Sequence, residues 1–291
     1  MQPPDRRLRW VPWLYLLPPL IFLLLFTYLP LADMLYYSLT SWDGLDPDPS
    51  FVGLANYVRI FTRPEIFAVF GVSLCYLVAA AVQVALSMYL ATLLSFTLRL
   101  RNVFKGIIFF PYLVNGVAVA FVFLFFFQPG GTLDLTLQFL GLRSLDVKWL
   151  GDPVVANWSL ASIQVWRYVG LGTILYIGAI QSIGNDVFEA AQLDGANAWH
   201  RFRHIIAPSV QRITGLVMIL CISSSLAVFE IPFVMLGGAN GTATFVIQTY
   251  RMAFVDTKVG LASALAVVLL AIVLLITVLV RRGVRDEAEL T

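Results

Sequence analysis

Two groups of residues in this chain carry more chemistry than their surroundings. In the first, Gln164, Trp166, Arg167 and Tyr168 stand together in an apolar run, and Ser223, Ser224, Ser225 and Glu230 occupy another such run further on. Amide, guanidinium and hydroxyl groups offer several directed hydrogen bonds each, and aromatic faces lie flat against sugar rings, so the set suits a polyhydroxylated solute. A charge at mid-bilayer costs at least about 2.5 kcal/mol, so Arg167 must face protein or water. Arg167 and Glu230 can form a structural ion pair between helices or line a polar cavity, and both hold if the pair lines the cavity. The second group is a polar stretch between two apolar segments: Glu189-Ala-Ala-Gln-Leu-Asp194-Gly195-Ala-Asn-Ala-Trp-His-Arg-Phe202-Arg-His-Ile205-Ile-Ala-Pro208. Here the chain offers a shaped surface to something in water.

The elements that must position these groups are membrane helices. Of 291 residues, 59% are hydrophobic and 12% charged, with a mean hydropathy of +0.85. A globular domain has roughly 25% charged residues, and half that cannot cover its surface. Apolar runs longer than the ~20 residues of a bilayer span recur. The expectation is an all-α integral membrane protein with six transmembrane helices, at about 13–39, 67–97, 104–128, 155–181, 211–236 and 259–280. The first two exceed a perpendicular crossing, so tilt or an extension is expected.

Lys and Arg set the orientation. Four segments hold three each: Arg6, Arg7 and Arg9; Arg99, Arg101 and Lys105; Arg201, Arg203 and Arg212; Arg281, Arg282 and Arg285. The alternate segments hold six in all: Arg59, Arg63, Arg143, Lys148, Arg251 and Lys258. Both termini and the Glu189–Pro208 stretch are therefore placed in the cytoplasm. The net charge of +2 gives no basis for a nucleic-acid partner. The basic start precedes an apolar run about twice a signal-peptide core, so it reads as a retained first helix. Cys75 and Cys221 lack partner spacing and read as small buried hydrophobes rather than a metal site or disulfide. Asp33 reads as interfacial, and His200 and His204 as solvated.

Three connections fall outside: residues 40–66, with a turn-rich start and a short interfacial helix after Phe51; residues 129–154; and residues 237–258, opening on a flexible Gly237-Gly238 loop. Inside, the link at 182–210 reads as helix, bend, helix. Asn185 is a plausible N-cap, Gly195 supplies the bend, and Pro208 ends the second helix or opens the next. Ala190, Ala191 and Ala196 lack bulk, so another protein can approach closely.

The spacing of Glu189-Ala190-Ala191, Asp194-Gly195-Ala196, Phe202, Ile205 and Pro208 resembles the EAA loop of permease subunits in bacterial ABC importers, with Ala207 where that family usually has leucine. Phe51-Val-Gly-Leu-Ala-Asn-Tyr57, Phe109-Phe-Pro111-Tyr and Gly260-Leu-Ala-Ser263-Ala264 are similar to carbohydrate permeases of the maltose and glycerol-phosphate type. The Gly237-Gly238 loop lacks that group's third glycine and following proline.

The resemblance implies the MetI-like permease fold in a bacterial plasma membrane. A tail at 1–12, a permease domain at 13–280 with its coupling loop at 182–210, and a tail at 281–291 are expected. It also implies partners: a second homologous permease, two ATP-binding subunits that bind ATP and magnesium, and an extracytoplasmic solute-binding protein. The chain has no Gly-x-x-x-x-Gly-Lys-Ser/Thr loop, so it is expected to be non-catalytic and to hold no cofactor itself. In the coupling role Phe202 and Ile205 would be apolar anchors on the ATPase, and Glu189 and Asp194 would make polar or ionic contacts with it or cap local backbone. Counting from Glu189, the maltose-type sugar-facing positions fall on Gln164, Arg167, Tyr168, Leu171, Cys221, Ser224, Ser225 and Val228. Their residue types differ from that permease. A di- or oligosaccharide is the preferred substrate; glycerol phosphate is the alternative, because Arg167 could pair with an anion. A proton-coupled transporter using Arg167 and Glu230 as a relay would leave the loop unexplained. An intramembrane enzyme lacks its motifs.

Overall fold

The computed structural model describes residues 11–96, 100–142 and 147–289. Arg6, Arg7, Arg9, Arg99 and Arg143, used above in the charge pattern, lie outside them. The chain divides into two units, residues 1–63 with 249–268 and residues 64–248 with 269–291.

In the first unit, α1 (Trp13–Tyr37) is a long apolar helix whose core has none of its residues buried. Its middle turn, Leu24–Tyr28, is wound as a π-helix. Beyond it, Thr40 pairs with Phe51 across a turn-rich stretch. Within that stretch the N–H groups of Asp46 and Leu45 donate to Asp43 Oδ1, both at 2.9 Å, and hold its carboxyl below the usual range. Helix α2 (Ala55–Thr62) follows. Its buried Asn56 donates to the carbonyls of Ser38 (3.0 Å) and Thr40 (2.7 Å), while Tyr57 Oη meets Ser38 Oγ at 2.8 Å. This gives the Phe51–Tyr57 sequence a structural role: it closes the connection onto the end of α1.

The second unit contains α3 (Pro64–Ser95), α4 (Arg101–Leu113), α5 (Gly116–Phe127), α6 (Thr132–Phe139) and α7 (Pro153–Gln181). The polar link follows, with α8 (Asn185–Leu193) and α9 (Ala198–Arg201), then α10 (Gln211–Leu226) and α11 (Glu230–Leu236). Two further helices, α12 (Phe245–Phe254) and α13 (Val259–Glu289), continue the chain, and α13 runs past the expected end of the last span.

Helix α7 is the axis of this unit. A Cβ on Gly170 would collide with the Ile108 carbonyl oxygen, so α4 crosses α7 where a side chain is missing. On the other side, Ser87 Oγ of α3 donates to Val169 O at 3.0 Å. Small residues at such crossings let membrane helices approach until dispersion contacts and interhelical hydrogen bonds hold them. Two apolar clusters result. One joins Tyr76, Ala120, Leu160, Ile163, Val228 and Ile231; the other joins Ala91, Leu94, Tyr176, Ile180, Ile206 and Val217.

The structure corrects three expectations. The span expected at 104–128 is two helices, α4 and α5, bent by 97°. Among the described residues, five helices are long and apolar enough to span by themselves, and six spans result if this bent pair is one. The cause is local: Asn115 Oδ1 accepts from Val117 N (2.9 Å) and Ala118 N (3.4 Å), starting a new helix in place of continuing the old. Pro111, which cannot donate to the preceding turn, already weakens the end of α4. The N-cap of α8 is Gly184, with Asn185 the first helical residue. Finally, the glycine-rich loop after α11 is pinned, because Asn240 Nδ2 donates to Leu150 O and Asn157 Nδ2 to Gly241 O, both at 3.0 Å.

Gly170→Ala should force α4 away from α7 at a cost of about 1–3 kcal/mol, as overpacking does, and lower the melting temperature of the purified protein. Gly178→Ala on the same helix, where nothing lies within 4 Å of the added Cβ, should leave it unchanged.

Candidate functional site

Two helix breaks face the middle of α7. At the first, the turn between α4 and α5 leaves the Val114 carbonyl without a helical partner. At the second, between α10 and α11, Ala227 and Phe229 leave helical geometry, and the Val228 carbonyl accepts from Thr244 Oγ1 at 2.6 Å. Arg167, reaching out from α7, joins both breaks. Its Nη1 donates to Glu230 Oε2 at 3.2 Å and its Nη2 to Val114 O at 3.3 Å. A Cβ at Gly116 would overlap Glu230 Oε2 and approach Arg167 Nη1 to 2.6 Å, so the ion pair rests on bare backbone. The guanidinium carbon also lies 5.3 Å from the centre of the Tyr168 ring.

A cavity of about 400 Å³ opens beside this pair, lined by Gln164, Arg167, Tyr168, Ser224, Ala227, Val228, Phe229, Glu230 and Ile231. A second, of about 200 Å³, adjoins it through Tyr168 and Ser224 and is lined by Gln83, Tyr112, Leu171, Gly172, Leu175, Val217, Leu220 and Cys221 as well. Tyr112 and Tyr168 meet edge to face, 5.8 Å between ring centres. The two spaces follow one another along α7 toward the 182–210 link.

Gln164, Arg167, Tyr168, Ser224, Val228 and Glu230 thus surround the larger cavity, and Leu171 and Cys221 the smaller. Ser225 lines neither: it is buried and its hydroxyl has no partner among the described residues. Sequence reading missed Gln83, whose amide nitrogen lies 3.1 Å from Cys221 Sγ and whose oxygen has no partner among the described residues. An uncharged glutamine in a long apolar helix gave the only available signal. The Val114 carbonyl was also missed, because a backbone acceptor has no signature in the sequence.

In the link, α8 ends at Asp194, whose N–H donates to Ala190 O at 3.0 Å. Gly195 then takes φ +77°, a left-handed conformation that side chains resist. Asn197 Oδ1 accepts from His200 N at 2.9 Å and opens α9, which widens into a π-helical turn over Phe202–Ile206. Glu189, Ala190, Asp194 and Pro208 are exposed; Ala191 and Ala196 are partly covered. Phe202, expected to point outward as an anchor, packs instead against the Tyr176–Ile206 cluster of its own chain, beside Phe188. Ile205 is likewise half-buried. Phe96 braces the link from α3's end, edge to face with Phe188 and under the Arg201 guanidinium at 5.5 Å. The most outward apolar groups are Leu193, 90% exposed, and Trp199, 61% exposed, with Val187 at 43%.

Residues 83–286 match the family described as binding-protein-dependent transport system inner membrane component. The chain is 34% identical over 275 residues to the probable ABC transporter permease protein YurN of Bacillus subtilis, covering 92% of this chain and 94% of that one. It is 29% identical over 270 residues to the multiple sugar-binding transport system permease protein MsmF of Streptococcus mutans, covering 92% of each. A chain from the crystal structure of a bacterial ABC transporter that imports the acidic polysaccharide alginate has the same fold, with a TM-score of 0.83 over 96% of both chains at 22% identity. The chain therefore belongs to the inner membrane components of binding-protein-dependent transport systems, the non-catalytic permease subunits of ABC importers.

Proposed function

We propose that this permease carries a sugar, a di- or oligosaccharide, into the cytoplasm by alternating access. The cavity beside Arg167 carries this reading. Its volume of about 400 Å³ lies within the ~300–1,000 Å³ of small-molecule sites. Amide, hydroxyl and aromatic groups converge there as a sugar requires. The printed name of MsmF, a permease of a multiple sugar-binding system, supports the same class.

The solute-binding protein delivers sugar from outside, and a second homologous permease supplies the facing half of the path. Two ATP-binding subunits hold ATP and magnesium and dock on α8 and α9. Glu189 and Asp194 make the polar contacts of that docking, and Ala190, Ala191 and Ala196 keep the surface low. Leu193 and Trp199 supply the apolar anchors in place of Phe202, which ties the link to its own helices. Because α8 follows α7 after a three-residue turn and is braced on Phe96, movement of the docked link is transmitted to the helix carrying Gln164 and Arg167. The ligands thereby bias an equilibrium between two rigid-body arrangements.

Leu193→Asp should reduce co-purification of the ATP-binding subunit at least tenfold while the permease stays in the membrane; unchanged recovery would contradict docking at this face. Gly195→Pro imposes φ near −65° where +77° is required. With Glu189→Lys, it should abolish uptake by vesicles with little loss of membrane insertion; normal uptake by both variants would rule out coupling through this link. Tyr168→Ala should raise the sugar concentration for half-maximal transport about tenfold, measured with the complete transporter.

A further inference from the structure

The larger cavity holds one cation and one carboxylate, and the two are not equally available. Arg167 has a side chain only 13% exposed. Its Nη1 and Nη2 donate to Glu230 and to the Val114 carbonyl, and its Nε is buried with no hydrogen-bond partner among the described residues. Glu230 is 56% exposed. The other lining residues, Gln164, Tyr168, Ser224 and four apolar neighbours, are uncharged. The cation is therefore engaged inward, and the carboxylate is the charged group that an entering solute meets. Gly116 fixes this arrangement, since any side chain there would displace the pair.

We infer that Glu230 is a specificity-determining residue that makes the cavity select neutral sugars over anionic ones. This rests on the carbohydrate reading above and names its substrate class. An anionic sugar or a phosphate ester would bring a like charge against Glu230 in a space where screening by water is reduced. At Arg167 it would find a side chain only 13% exposed and already bonded to the carboxylate. A neutral sugar escapes both costs and still finds the Gln164 amide, the Ser224 hydroxyl and the Tyr168 ring. Discrimination thus comes from a repulsive element as well as from attractive contacts. Glycerol phosphate, left open by an unpaired Arg167, is disfavoured once that guanidinium is held by Glu230 and Val114. Glu230→Gln keeps the shape and a hydrogen-bond acceptor but leaves the guanidinium uncompensated, so the preference should turn toward anions.

The test uses the assembled transporter in lipid nanodiscs without its binding protein, so that the cavity's own preference is read. Maltose, trehalose and cellobiose are each compared, by titration calorimetry, with the counterpart oxidised at a primary alcohol to the uronic acid. Glycerol 3-phosphate is a further anionic probe. The wild-type transporter should prefer the neutral member of a pair at least tenfold. Glu230→Gln should move the anion-to-neutral affinity ratio at least tenfold toward the anion. The double variant Arg167→Gln/Glu230→Gln, which leaves no buried charge unpaired, should bring the ratio near one and serves if the single variant does not assemble. Equal binding of both members by the wild type, a wild-type preference for the acid or glycerol 3-phosphate, or an unchanged ratio in an assembled variant would overturn charge selection alone. A wild type that binds none of the probes would overturn the carbohydrate reading, and this inference with it.

Discussion

One guanidinium holds two broken helices to an unbroken one. Arg167 stands on α7 and bonds Glu230 where α11 begins and the Val114 carbonyl where α4 ends. Each break frees polar backbone at a depth where water is scarce, and such groups must find partners within the protein. At the first break Asn115 recaps the helix and Arg167 takes the carbonyl; at the second Thr244 does so. Because the breaks are satisfied in this way, the backbone can open around a polar cavity instead of packing shut. Losing Arg167 would leave a carboxylate and a carbonyl without their partner, which is why the surrounding geometry depends on it.

The same helix connects the cavity to the polar 182–210 link. Gly170 and the Ser87–Val169 hydrogen bond clamp α7 between α4 and α3. Beyond Gln181 the chain turns into α8, and Phe96, Phe188 and Phe202 fasten the polar link to the helix ends. A link secured this way can pass on displacement with little loss in flexing. Its outward face keeps small residues, two acids and the exposed Leu193 and Trp199, a combination suited to close contact with a partner surface.

Much of this was legible in the sequence. Apolar run lengths marked the long apolar helices, and the spacing from Glu189 to Pro208 marked the link. The intramembrane Arg167 and Glu230 marked the cavity, since such charges are costly away from protein or water. Other features were hidden for physical reasons. Hydropathy averages over a window, so a 97° bend at Val114–Asn115 vanished inside a continuous apolar run, although Pro111 and the Asn115-Gly116 pair were its local signals. Side-chain direction on a short irregular helix is not fixed by spacing, so Phe202 was assigned outward when the π-helical turn sends it in. Ser225, one residue beyond the cavity-lining Ser224, faces the core for the same rotational reason.

The measurement closest to the centre of this mechanism is a cryo-electron microscopy structure of the assembled transporter with its sugar bound. Sugar density should lie against Gln164, Tyr168 and Ser224, with Arg167 still bonded to Glu230 and the Val114 carbonyl. Density in another part of the subunit, or an Arg167 that has left Glu230 to bind the sugar, would contradict it.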